Sequence, residues 1–114
     1  MIQASFKTKR LSVKPLQPND ADFIFELINT ETWIRFIGDK QIYTQEDAEN
    51  YTKMICTSPD RNYWVVIEKQ SLTQIGIITL IQRDYLPIAD FGFAFLPEFQ
   101  NKGFGFEAAK PVLA

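Results

Sequence analysis

Apolar positions along the chain alternate with polar ones, recur at helical spacing, or fuse into continuous runs, and these three patterns divide it into elements. Arg10-Leu11-Ser12-Val13-Lys14 alternates polar and apolar before Pro15, as a half-buried strand does when a proline ends it. Pro18-Asn19-Asp20-Ala21-Asp22 opens a helix with Asn19 as the N-cap. Phe23, Ile24, Leu27 and Ile28 share one face behind it, so helix one runs to about Thr30. Thr44-Gln45-Glu46-Asp47 has the form of a capping box, with Ala48, Tyr51, Thr52 and Ile55 at i, i+3, i+4, i+7 beyond it. The spacing predicts helix two over roughly 45–56, stopped by Thr57-Ser58-Pro59-Asp60.

Two strongly apolar segments follow, Tyr63-Trp64-Val65-Val66-Ile67 and Ile75-Gly76-Ile77-Ile78-Thr79-Leu80-Ile81, joined by a polar loop at 69–74. Their β-branched content predicts a hairpin of strands covered on both faces. A last strand places Phe91, Phe93 and Phe95 on one face and Gly92, Ala94 and Leu96 on the other, then turns through Gly103 and Gly105 into a helix. Residues 31–43 are read as irregular. They carry Trp33, Ile34, Phe36, Ile37 and Tyr43, too many large apolar groups for a solvated loop, so the segment packs on the core or lines a pocket mouth. The predicted order is β-α-α-β-β-β-α, an α+β (mixed α/β) domain spanning 1–114 with a mostly antiparallel sheet.

Composition narrows the chemistry. Twelve basic and fourteen acidic residues give a net charge of −2, without the basic footprint of a nucleic-acid binder. A single Cys56 and the absence of His exclude Cys/His zinc sites and every His-dependent catalytic arrangement, and no metal site is read. Cys56 is taken as a small buried hydrophobe rather than a nucleophile. No apolar run reaches the length of a membrane span or a signal-peptide core, so a cytoplasmic protein without membrane contact is expected.

The strand-to-helix turn is where chemistry is expected. The first helical turn has four N–H groups without intrahelical partners, the helix dipole adds about half a positive charge there, and glycines let an anion approach the backbone. Gly103-x-Gly105 alone is a weak signal, because a loop that must bend also uses glycine. Gly103-x-Gly105-x-x-Ala108 satisfies the dinucleotide fingerprint formally, but that motif needs a further strand and an acidic residue about 20 positions on, and only six residues follow Ala108. No Gly-Lys-Ser/Thr phosphate loop occurs.

Taken in order, several stretches resemble the GNAT superfamily of acetyl-CoA-dependent N-acetyltransferases, and within it the ribosomal-protein N-acetyltransferase (RimJ/RimL-like) branch. They are Thr8-Lys9-Arg10-Leu11-Ser12-Val13-Lys14-Pro15-Leu16, Asp20-Ala21, Thr44-x-x-Asp47-Ala48, Trp64-Val65-Val66-Ile67-Glu68-Lys69, Gln74-Ile75-Gly76-Ile77-Ile78, and Phe91-Gly92-Phe93-x-Phe95-x-Pro97 before Gln100-x-x-Gly103-x-Gly105-x-x-Ala108. The resemblance implies the acyl-CoA N-acyltransferase fold, with acetyl-CoA as cosubstrate and an amine as acceptor. It implies that Phe95 and Leu96 meet the pantetheine arm through main-chain atoms, and that Gln100, Asn101, Lys102, Gly103, Phe104 and Gly105 hold the pyrophosphate. Asn101 stands where the family commonly has glycine. Chemistry would be direct transfer, a neutral amine attacking the thioester while a backbone N–H stabilises the oxyanion. Asp90 is the candidate base because it occupies the acidic position that often precedes the strand motif, with Asp84, Glu31 and Glu98 as weaker choices.

The resemblance covers the N-terminal two-thirds of the family's fold. The chain stops at Ala114, inside the family's third helix, which leaves out the far wall of the CoA wedge and the region that usually supplies a Tyr acid. Three readings follow: a truncated or proteolysed form, a natural short form, or a half-fold completed by dimerisation through the open strand edge. The alternative to an enzyme is a non-catalytic GNAT-like module that makes a protein contact through that edge. Pro111, eight residues into the last helix, is expected to kink or end it.

Overall fold

The alternating and doubly apolar segments pair into one sheet. The computed structural model describes residues 5–36, 41–82 and 90–113. Five strands lie side by side in chain order, β1 (Phe6–Lys7), β2 (Leu11–Pro15), β3 (Arg61–Glu68), β4 (Thr73–Ile81) and β5 (Asp90–Phe95), each antiparallel to its neighbour. Helices α1 (Ala21–Ile28), α2 (Glu31–Phe36), α3 (Gln45–Thr57) and α4 (Phe104–Leu113) complete it, with 3-10 turns at Pro18–Asp20 and Pro97–Phe99. Among the described residues the order is therefore ββαααβββα, with one strand and one helix more than the pattern predicts. β1 is too short to alternate, and a turn closed by Thr8 N–H to the Leu11 carbonyl at 2.9 Å brings it onto β2.

Both faces of the sheet are buried. On one, Tyr63, Val65, Ile77 and Leu96 meet Phe23, Ile24, Leu27, Ile28, Trp33 and Ile55 from α1, α2 and α3. On the other, Leu11, Val13, Trp64, Val66, Ile78 and Phe95 meet Phe104 and Ala108 from α4. Each of the large aliphatic or Phe side chains contributes about 1.5–3 kcal/mol by leaving water. The pairing of β3 with β4 slips between Val66 and Ile67, so that Val66 faces Gly76 but Ile67 faces Gln74. This bulge turns Ile75 onto the α4 face although Ile77, two residues on, lies on the other. Among the described residues, no helix is long and apolar enough to cross a membrane.

Four expectations are corrected. Asn19 is not the cap of helix one: Asp20 stands at that position, 6% exposed, and its carboxylate accepts from Gln17 N–H at 2.8 Å, Lys14 Nζ at 2.9 Å and Gln74 Nε2 at 3.0 Å. A buried carboxylate requires such partners. Residues 31–36 are helical, because Thr30 Oγ1 accepts from Trp33 N–H at 3.2 Å and starts a turn that buries the indole. Residues 37–40 and the turn at 83–89 lie outside the described residues. Cys56 is exposed, since it sits about 100° around α3 from the buried Ile55. α4 passes through Pro111 and continues to Leu113. The proline costs the bond to the Glu107 carbonyl, while the residues behind it keep helical geometry.

Candidate functional site

The pairing of β5 with β4 decides which of its backbone groups are free. Ala94 stands opposite Ile77 and Gly92 opposite Thr79, and Leu96 N–H donates to the Ile75 carbonyl at 2.8 Å. The even-numbered residues thus bond to β4. By alternation, the N–H and C=O groups of Phe91, Phe93 and Phe95 point to the other edge, where no strand pairs among the described residues. Gln100 Nε2 uses one of these groups, donating to the Phe95 carbonyl at 3.1 Å. That bond folds the following loop back against the strand end.

The loop is left-handed at two points, Asn101 with φ 61° and Gly103 with φ 79°. Glycine takes that conformation without a Cβ clash and Asn tolerates it better than other residues, so both residues suit the backbone they hold. α4 then begins at Phe104, and Glu107 N–H closes its first turn on the Gly103 carbonyl at 3.2 Å. The N–H groups of Gly103, Phe104, Gly105 and Phe106 are left without acceptors in the helix, at the positive end of its dipole.

These features meet in a cleft of about 520 Å³ that wraps the open edge of β5. Six of the residues expected to bind the cosubstrate, Phe95, Gln100, Asn101, Gly103, Phe104 and Gly105, line it. Leu96 and Lys102 do not. Leu96 is buried in the core with its N–H given to Ile75. Lys102 is exposed, its Nζ 5.7 Å from the centroid of the Phe99 ring. Leu27, Thr30 and Trp33 also line it, so Trp33, from the 31–43 segment, serves both core and pocket wall. The Trp33 indole N–H is buried without a partner.

The pattern reading missed two aromatic residues here. Phe93, 51% exposed, and Phe106, 86% exposed, line the cleft. The Phe93 ring covers Gly105 so closely that a Cβ there would fall 2.5 Å from its Cε2, which gives this glycine a packing reason of its own. Phe93 belongs to a row of tilted rings, 5.8 Å from Phe95, which is 6.5 Å from Phe104. Also missed was a contact from outside the cleft. Glu107, 18% exposed, accepts from Thr8 Oγ1 at 2.5 Å, Arg10 N–H at 2.8 Å and Arg10 Nε at 2.6 Å. Partial burial works to raise the Glu107 carboxyl, but these hydrogen bonds and the guanidinium charge outweigh it and hold it below the ordinary range.

Of the candidate bases, Asp90 is the first residue of β5, opposite Ile81, and its side chain lies outside the described residues, as Asp84 does entirely. Glu31 and Glu98 are exposed. Among the described residues no carboxylate lines the cleft. Cys56 is exposed, yet partial burial and the nearby Asp20 charge push its thiol up; it donates to the Leu16 carbonyl at 3.4 Å, away from the cleft.

The chain is similar to the uncharacterised N-acetyltransferase YnaD of Bacillus subtilis, with 24% identity over 106 residues that cover 93% of this chain and 61% of YnaD. Two solved structures share the fold. One is a GNAT-family acetyltransferase from Bacillus anthracis, at TM-score 0.76 and 22% identity, covering 96% of this chain and 63% of that one. The other is the spermidine N-acetyltransferase of Vibrio cholerae in complex with CoA and spermine, at TM-score 0.75 and 24% identity, covering 91% of this chain and 62% of that one. The chain thus spans less than two thirds of these relatives' length. The family described as acetyltransferase (GNAT) domain matches residues 10–114, nearly everything from the β1–β2 turn to the end of α4, and the chain belongs to that family.

Proposed function

We propose that this chain carries the acetyl-CoA site of an N-acetyltransferase that delivers acetyl to a primary amine by direct attack on the thioester. The observation that carries the proposal is the convergence, in one cleft, of an open strand edge, a left-handed glycine loop and a helix N-terminus. The amides of Gly103, Phe104, Gly105 and Phe106 would take the pyrophosphate, and Asn101 and Gly103 hold the curve that aims them. The edge-facing amides of Phe93 and Phe95 would pair with the pantetheine arm. Of the two residues first given main-chain roles on the pantetheine, Phe95 fits and Leu96, whose N–H is engaged, does not. Supplied as cosubstrate, acetyl-CoA brings the activated acyl group, and the chain's part is to orient it along the strand and keep its phosphates at the dipole.

The acceptor is a protein α-amine, as in the RimJ/RimL-like branch, or a small-molecule amine such as the polyamines of the Vibrio enzyme. The two differ in what they ask of a base. An α-amine with a pKa near 8 is roughly one tenth neutral at pH 7, whereas an alkylamine near 10.4 is about 2.5 units worse, or about 3.5 kcal/mol. Asp90, at the head of β5, is the proposed base, and an α-amine acceptor depends on it less. Calorimetry of CoA binding to the wild type and to Gly103→Glu, with acetylation assays on an N-terminal peptide and on spermidine, tests the reading. CoA affinity that survives the glutamate would sink the cradle assignment. A chain that never takes CoA but self-associates would favour the interaction module.

A further inference from the structure

Arg10 sits in the turn between β1 and β2, more than ninety positions before the glycine loop, yet its side chain ends there. Nε donates to Glu107 Oε1 at 2.6 Å and Nη1 to the Lys102 carbonyl at 3.1 Å, while the guanidinium carbon lies 4.3 Å from the centroid of the Phe104 ring. Nη2 stands 3.6 Å from where a Cβ on Gly103 would be. One planar group thus touches three parts of the proposed cradle: the carbonyl before the left-handed Gly103, the ring of the first helical residue and the first-turn carboxylate. Glu107 in turn is fixed by Thr8 Oγ1 and the Arg10 N–H, so the turn between β1 and β2 grips both sides of the α4 N-terminus.

Resting on the acetyl-CoA reading above, we infer that Arg10 is the positioning residue of the glycine loop. It orients the Lys102–Gly103 peptide and seats Phe104, and thereby sets the direction in which the amides of Gly103 and Gly105 point. A residue acting only as a positive charge would be replaceable by lysine. This one is not, because an ammonium cannot bond a carboxylate and a carbonyl in one plane while stacking on a ring.

The test compares wild type with Arg10→Lys in the full chain. CoA is one probe, and S-acetylpantetheine, which lacks the phosphates of CoA, is the other. Amide resonances of Gly103 and Gly105 are followed without ligand. In Arg10→Lys we expect both glycine amides to move and CoA affinity to fall on the order of tenfold, the size of one lost charge-assisted hydrogen bond, while S-acetylpantetheine binds as before. Unmoved amides with wild-type CoA affinity overturn the inference. Equal weakening of both ligands overturns it too, since that marks a general loss of stability. Should Arg10→Lys fail to fold, Glu107→Gln releases the same grip without removing the guanidinium and is expected to give a smaller version of the same split. A wild type that binds no CoA defeats the acetyl-CoA reading, and the glycine amides alone then decide the role of Arg10.

Discussion

Gly103 is held to glycine by its backbone angle rather than by space. At φ 79° a Cβ costs about 1–2 kcal/mol, so Gly103→Ala is expected to lower stability by about that much in denaturant titration and to weaken CoA binding by turning its own amide. Asn101, at φ 61°, should behave oppositely toward glycine: Asn101→Gly preserves the loop, and CoA affinity should stay within a factor of about two, whereas Asn101→Ala repeats part of the Gly103 penalty. Glu107 adds a pH term. Its carboxyl is held below the ordinary value near 4.5, so folding gains stability from it above that pH and loses it as the pH falls through the lower folded value. The unfolding midpoint should therefore drop on acidification below about pH 4.5, and Glu107→Gln should flatten that part of the profile.

At the level of elements, β5 is held close to β4 by the absence of a side chain. A Cβ on Gly76 would fall 2.4 Å from Phe95 Cδ1 and 2.5 Å from the Ala94 carbonyl oxygen, and the second is backbone that cannot rotate away. Gly76→Ala should cost about 1–3 kcal/mol as overpacking and move Phe95 in the cleft, so loss of stability and loss of CoA affinity should come together. At the start of α3 the Thr44 hydroxyl accepts from Asp47 N–H at 3.1 Å, and Thr44→Ala should cost about 1 kcal/mol with CoA binding untouched. This cap was legible in the sequence, as were the two-faced strands, because both rest on neighbours within a few positions. α2 was not, since six residues with apolar groups at adjacent positions show no period. Nor was the bulge at Val66 and Ile67, because unbroken apolar runs read the same in either register. The cradle residues were read from the family motif. Arg10 was visible within its matched stretch, but its role depends on a contact that no local pattern encodes.

For the molecule as a whole, the cleft lies along β5, the last strand of the sheet among the described residues, not within the core. Ligand binding there would tie together β5, the loop and α4, whose joint attachment relies on the α4 face of the sheet. Acetyl-CoA at a hundredfold its dissociation constant should stabilise the fold by about 2.7 kcal/mol and raise the melting temperature by about 10 °C, and Gly103→Glu should abolish the shift. The apolar surface of Phe93 and Phe106 beside a strand edge unpaired among the described residues is also where association would begin. Phe93→Lys should lower any concentration dependence of the sedimentation coefficient.

The grip of Thr8 and Arg10 on Glu107 spans 99 and 97 positions, and it gives the protein a timetable. On the ribosome, at about 5–20 residues per second, the β1–β2 turn waits roughly 5–20 s before the carboxylate it holds has been made. Through that interval the hydroxyl and guanidinium have no anion to close on, and the aromatic row of β5 is synthesised before α4 exists to cover it. Nascent chains thus carry those rings uncovered until α4 has been made and has packed. A codon change that slows translation between β5 and α4 would lengthen that exposure without altering a single atom of the finished protein.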